Sequence, residues 1–189
     1  MSPAAARTSN EAIVVAARLL LEAGGVDAVT MQAVADRVGV RAPSLYKRFA
    51  DRATLMTALA DDVAADLAVA VAVAPAPDVR DPREALRAMA ARYRAFARRA
   101  PQSYQLLFAT AGVAPSPGPN ALASADVLRL AAALAGPAEA LEAARTLVAF
   151  AHGFVSMELA GAFRLGGDVD AAFDYGIETL IRGLTERPT

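Results

Sequence analysis

The chain has 189 residues, 56% of them hydrophobic but only 6% aromatic, with a net charge of −1 and no cysteine. The missing thiols exclude disulfides, thiolate metal sites and cysteine nucleophiles, and a net charge this close to zero argues against an unspecific polyanion binder. Much of the hydrophobic content is alanine, the best helix former and a poor strand former, so an all-α fold is expected.

The opening MSPAAARTSNEA lacks a run of large apolar side chains, so no secretory leader is expected. Asp, Arg or Glu interrupts the longest alanine-rich stretches, which argues against a membrane span. The expected setting is the cytoplasm.

Thr8-Ser9-Asn10-Glu11 has the capping-box pattern for a first helix carrying Ile13, Ala17, Leu20 and Leu21, with Gly24-Gly25 as its stop. Thr30 stands as N-cap of a second helix, with Val34, Ala35 and Val38 inward, and Gly39 supplies a sharp turn. Pro43 suits the first turn of a third helix, anchored by Leu45 and Phe49. Asp51 caps a long fourth helix with an i+4 ridge of Leu55, Leu59, Val63, Leu67 and Val71.

After Pro75-Ala76-Pro77, a fifth helix runs from about Arg83 to Arg99, with Leu86, Met89, Tyr93 and Phe96 on one stripe. Pro101 opens a short helix, GVAPSPGP is a breaker-rich loop, and 120–135 is another alanine-rich helix. A long helix is expected over 138–164, followed by LGGDVD and a last helix with Phe173, Ile177, Leu180, Ile181 and Leu184.

Charge is unevenly distributed. Residues 1–52 hold seven Lys/Arg and five Asp/Glu, net +2, against twelve and fifteen, net −3, in 53–189. Within 41–52 four basic residues, Arg41, Lys47, Arg48 and Arg52, face Asp51 alone. Residues 30–52, TMQAVADRVGVRAPSLYKRFADR, therefore read as two short helices joined by a tight turn, the second basic and aromatic. That is how a helix is presented to the major groove of DNA. A solvated charged face is the plainer reading of such a run, but the charges share one sign and a tyrosine lies among them.

The segment VTMQAVADRVGVRAPSLYKRFADRATLM resembles the DNA-binding segment of the tetracycline-repressor (TetR) family of bacterial regulators, over residues 8–60. Thr30, Ala35, Gly39-Val40, Leu45-Tyr46, Phe49 and Leu55 carry the likeness. AFAHGFVSMELAGAF also resembles a tryptophan-histidine-glycine signature of one branch of that family, with Phe150 in place of the tryptophan. The resemblance implies a homodimer with a three-helix DNA-binding domain, here 1–52, and a helical effector-binding and dimerisation domain, here 53–189. It also implies repression of transcription, relieved when a small molecule binds the larger domain.

Roles follow from chemistry. Arg41, Ser44 and Lys47 are placed for base edges, where Arg and Lys suit guanine O6/N7. Ala42 and Pro43 offer apolar contact. Tyr46 is a phosphate anchor, and Thr30 is either a second anchor or only a cap. Arg52 replaces a lysine common in the family. A cation at a helix N-terminus opposes the macrodipole, and phosphate contact is one reason for it to be there. Arg48 stands where the family often has histidine.

Tyr93, Phe96, Tyr104, Phe108, Phe150 and Met157 are the candidate effector-lining residues, although aromatics at helical spacing also build plain cores. Val148, His152, Val155, Leu159, Phe173, Ile177 and Leu180 are the candidate dimer-interface residues. His152 is the only histidine, too few for a metal site or a triad, and no cofactor is expected. The partners expected are a pseudo-palindromic DNA duplex, a second copy and a small molecule. The alternative is a helical small-molecule-binding protein with vestigial DNA binding. No Gly-rich phosphate loop, paired-carboxylate motif or nucleophile elbow supports an enzyme.

Overall fold

The computed structural model describes residues 9–73, 81–108 and 116–186, apart from the side chains of 117–123. The described residues are all-α: α1 (Asn10–Ala28), α2 (Met31–Val38), α3 (Ala42–Tyr46), α4 (Arg52–Val71), α5 (Pro82–Arg99), α6 (Pro101–Phe108), α7 (Pro117–Ala135), α8 (Ala140–Leu159) and α9 (Val169–Thr185). None of these helices is long and apolar enough to cross a membrane.

The chain forms two compact units. One holds Met1–Ala65 with Ala100–Pro119, and the other holds Asp66–Arg99 with Asn120–Thr189. The division by packing thus falls within α4 and α7, and it assigns α6 to the unit of α1–α3.

In the first unit α1 begins at Ser9, whose hydroxyl accepts the Ala12 N–H at 3.1 Å. The expected cap at Thr8 lies outside the described residues, and Ser9 fills that role. The helical path breaks at Gly24 and Gly25, where the sequence placed the stop, and a short tail continues to Ala28. The core of the unit is Ile13, Ala17 and Leu21 of α1, Val34 and Ala35 of α2, Leu45 of α3 and Leu55, Met56 and Leu59 of α4, all fully buried. Val38 and Leu20 are only half-buried.

In the second unit α5, α8 and α9 pack together. Helix α8 is shorter than the sequence predicts, ending at Leu159 and not near 164. Gly161 takes a left-handed φ of 64°, and Ala162 N–H returns to the Met157 carbonyl at 2.9 Å, closing the helix. Asp168 then caps α9, accepting the N–H groups of Asp170 and Ala171 at 2.8 and 3.1 Å.

Candidate nucleic-acid interface

The local sequence builds a helix-turn-helix. Thr30 Oγ1 accepts the Ala33 N–H at 3.1 Å and starts α2. Gly39, at φ 76° and ψ 30°, ends it in the left-handed region that favours glycine. Val40 N–H reaches back to the Ala35 carbonyl at 3.0 Å, which tightens the turn. Pro43 sits in the first turn of α3, where a missing N–H breaks no helical bond.

Leu45 is fully buried and Phe49 is 5% exposed. These two anchors, four residues apart, fix which side of α3 faces out. Arg41, Pro43, Ser44, Tyr46, Lys47 and Arg48 are all exposed, and Ala42 is half-buried. Among the described residues no hydrogen bond or ion pair engages the side chains of Arg41, Tyr46 or Lys47. The side chains most suited to phosphates and base edges therefore stand free on one exposed segment.

Thr30 acts as a cap, but capping uses an oxygen lone pair and leaves the hydroxyl proton available to a phosphate. Arg48 donates from Nη1 to Asn10 Oδ1 at 3.0 Å. The Arg52 guanidinium reaches the Val29 carbonyl from Nε at 2.7 Å and the Val26 carbonyl from Nη2 at 2.6 Å. Arg52 thus has a partner inside the protein that accounts for a cation at the start of α4 as well as a phosphate would. Asp51 caps α4, accepting the Thr54 N–H at 2.7 Å and its hydroxyl at 2.8 Å. The Thr54 backbone bond, followed by the hydroxyl bond, holds this carboxyl below its ordinary pKa.

The six candidate effector-lining residues fall in different places. Tyr104 and Phe108 lie in the first unit with ring centroids 5.0 Å apart, Tyr104 buried and Phe108 exposed. Tyr93, Phe96, Phe150 and Met157 lie in the second. There Phe96 is buried, Tyr93 and Phe150 are half-buried and Met157 is exposed. A groove of about 440 Å³ between α5 and α9 has a floor of Ala88, Ala91, Phe173 and Ile177 and includes none of these six.

Of the candidate dimer residues, Val155, Phe173 and Ile177 lie in the interior of their own unit, not on a face open to a second copy. His152, Leu159 and Leu180 are half-buried and Val148 is exposed. Leu141, Val148, His152 and Leu159 share one outward stripe of α8 by helical spacing. Burial holds the His152 imidazole below its ordinary pKa of 6.5.

Sequence reasoning missed Arg94. Its guanidinium is almost entirely buried and donates to both Glu158 oxygens at 2.8 and 2.7 Å. Asp170 also lies 2.7 Å from Nη2, and the Phe173 and Phe154 rings lie 4.9 and 5.6 Å from the guanidinium carbon. The signal was present: Arg94 is four residues after buried Ala90 and three before buried Ala97. Among the described residues no three His, Asp or Glu side chains gather as a metal site.

Comparison with known proteins adds the family context. Residues 13–59 match the family model described as bacterial regulatory proteins, tetR family, and residues 86–180 match the tetracyclin repressor-like C-terminal domain. An uncharacterised HTH-type transcriptional regulator of Mycobacterium tuberculosis is 29% identical over 188 residues, covering 97% of this chain and 85% of that protein. A Rhodococcus protein of unknown function shares the fold, with TM-score 0.79, 24% identity and coverage of 98% and 97% of the two chains. A single-residue variant of the tetracycline repressor of Acinetobacter baumannii, solved with minocycline, aligns with TM-score 0.68 and 26% identity, covering 93% and 95%.

Proposed function

The chain belongs to the tetracycline-repressor family of DNA-binding regulators, and from that premise we propose that it is a dimeric repressor released from a pseudo-palindromic operator by a small molecule. The observation that carries the reading is the exposed, unpartnered set of Arg41, Tyr46 and Lys47 with Ser44, held out by buried Leu45 and Phe49. Two such helices, about 34–36 Å apart in a symmetric dimer, enter successive major grooves. Arg41, Ser44 and Lys47 read base edges, with Ala42 and Pro43 against a thymine methyl, while Tyr46 and Thr30 hold phosphates.

The outward stripe of Leu141, Val148 and Leu159, with exposed Tyr175 on α9, supports pairing with a second copy. The effector acts on the second unit, and α4, which runs unbroken through the division at Ala65, carries the response. The minocycline complex of the Acinetobacter relative supports a small-molecule role. A ligand shifts the DNA-competent state only by its preference between the two states. The protein acts as a regulator on cytoplasmic DNA and performs no catalysis.

The test is selection of duplexes from a random pool by the pure protein, followed by gel shift. A repeated half-site is expected, with Lys47→Ala and Tyr46→Phe both binding more weakly and Lys47→Ala lowering the salt slope by about 1. If neither substitution matters at moderate salt, α3 is not the reading helix.

A further inference from the structure

We infer that Arg48 and Arg52 are positioning residues that hold the start of α1 and the tail that leads from it into α2, and so set the angle of the helix-turn-helix, and that neither belongs to the DNA-contacting face. The inference rests on the DNA-binding reading above and assigns two of its basic residues a different task.

The geometry is a clamp. Asn10 is the first residue of α1, and Arg48 holds its side-chain oxygen at 3.0 Å. Val26 lies in the short tail beyond the Gly24–Gly25 break and Val29 caps that tail, and Arg52 holds both carbonyls, at 2.6 and 2.7 Å. The two arginines flank Phe49 and Asp51 in the turn that joins α3 to α4. That turn is thereby bonded to the first residue of α1 and to the tail that follows its break at Gly24 and Gly25.

Electrostatics favours this placement. A cation at the first residue of α4 is opposed by that helix's dipole, whereas charge-assisted hydrogen bonds to the Val29 and Val26 carbonyls favour the guanidinium turned away from it. Asp51 already supplies α4 with its N-terminal anion through Thr54. Arg52 is left to turn back, and only a planar guanidinium presents two donors to two carbonyls in a fixed fork. Val29 directly precedes Thr30, the cap of α2. Holding the Val29 carbonyl therefore fixes where α2 begins, and with it the angle at which α3 meets a groove.

The substitution that separates the two tasks is Arg52→Lys, which keeps a charge able to reach phosphate but loses the fork. Binding to the selected duplex is measured by fluorescence anisotropy across a salt series, with circular dichroism confirming a folded protein. Arg52→Lys and Arg52→Gln are both expected to weaken binding by about tenfold at every salt concentration, with an unchanged salt slope. Lys47→Ala, in contrast, lowers the slope by about 1. Asn10→Ala and Arg48→Ala are expected to be non-additive, the double variant binding no more weakly than Arg48→Ala alone.

Wild-type affinity in Arg52→Lys, with a slope lowered by about 1 in Arg52→Gln, would make Arg52 a phosphate contact and overturn the clamp. Additive effects at Asn10 and Arg48 would do the same for Arg48. If the wild-type protein selects no duplex, the DNA-binding reading fails and hydrogen exchange in the free protein still decides the clamp. The Val29 and Thr30 amides, which bond to the Val26 and Ala28 carbonyls, then exchange several-fold faster in Arg52→Lys if it exists and at the wild-type rate if it does not.

Discussion

The tip of the Phe150 ring occupies the space that a side chain on Gly176 would need: a Cβ there would stand 2.1 Å from Phe150 Cζ and 2.6 Å from Cε2. Phe150 also lies 6.0 Å from Phe173 and 5.9 Å from Phe154, centroid to centroid, so these neighbours leave the half-buried ring only its solvent side to withdraw to, at the loss of their packing. Gly176→Ala is therefore expected to destabilise the fold by about 1–3 kcal/mol through overpacking, despite the gain of about 1 kcal/mol that alanine brings inside a helix. Phe150→Leu in the same background should restore part of the loss. Gly153→Ala is the control, since nothing lies within 4 Å of a Cβ there, and it should stabilise. Urea denaturation of the four proteins measures all of this, and an undiminished Gly176→Ala would refute the close approach.

Arg94 and Glu158 make the second prediction. Arg94 is 6% exposed, with two carboxylates and two aromatic rings around its guanidinium. The Glu158 hydrogen bonds outweigh the effect of burial and raise its pKa, so it remains charged. Arg94→Ala leaves Glu158 beside apolar rings with only the exposed Arg98, 4.0 Å away, as a cation, and is expected to cost about 3 kcal/mol. Arg94→Met with Glu158→Leu should cost clearly less, because no unpaired charge remains. Equal losses in the single and double variants would show that packing, not charge pairing, is what Arg94 supplies.

The helix-turn-helix was legible because each of its determinants is local. The Thr30 cap, the left-handed Gly39 and the Leu45–Phe49 pair all lie within 20 residues of one another. The Arg94–Glu158 pair was not, since its partners are 64 residues apart and periodicity reports a face without naming what meets it. The same limit applies to Val155, Phe173 and Ile177, whose apolar stripe turned out to serve the core of their own unit. The overlong α8 has a different cause, because an apolar pattern continues past Gly161 while the backbone does not. At Arg52 the charge was readable, but its acceptors are backbone carbonyls, which carry no sequence signal.

His152 gives a pH dependence whose sign is fixed by burial. Its folded pKa lies below the ordinary 6.5, so as pH falls the unfolded chain takes up the proton first. Stability is then lost progressively as pH drops below about 6.5, and the loss from this group is complete once pH is below the folded value. The urea midpoint of the wild-type protein should fall relative to that of His152→Gln between about pH 8 and about pH 5.5. A constant difference across that range would mean that the imidazole is as well hydrated in the folded protein as in the unfolded chain.

Glu22 and Asp61 tie residues beyond the first hundred into the DNA-binding unit. Glu22 of α1 accepts the Ser103 N–H at 2.7 Å and the Gln102 N–H at 3.4 Å, which caps α6 with a carboxylate from another helix. Asp61 of α4 accepts the Ser116 N–H at 2.5 Å and its hydroxyl at 2.8 Å, just ahead of α7. Arg18 and Asp62, 3.2 Å apart, link α1 to α4 alongside. A charged acceptor at a helix N-terminus is worth about 0.5–2 kcal/mol. Glu22→Gln keeps an oxygen in place but removes the charge, so it should lower protection of the Gln102 and Ser103 amides by roughly fivefold. Asp61→Asn should do the same at Ser116 and leave Gln102 untouched. Hydrogen exchange resolved at single amides checks both. Loss spread evenly over the unit would mean that the carboxylates stabilise the fold as a whole, and unchanged protection would mean that α6 and the start of α7 are held by apolar packing alone.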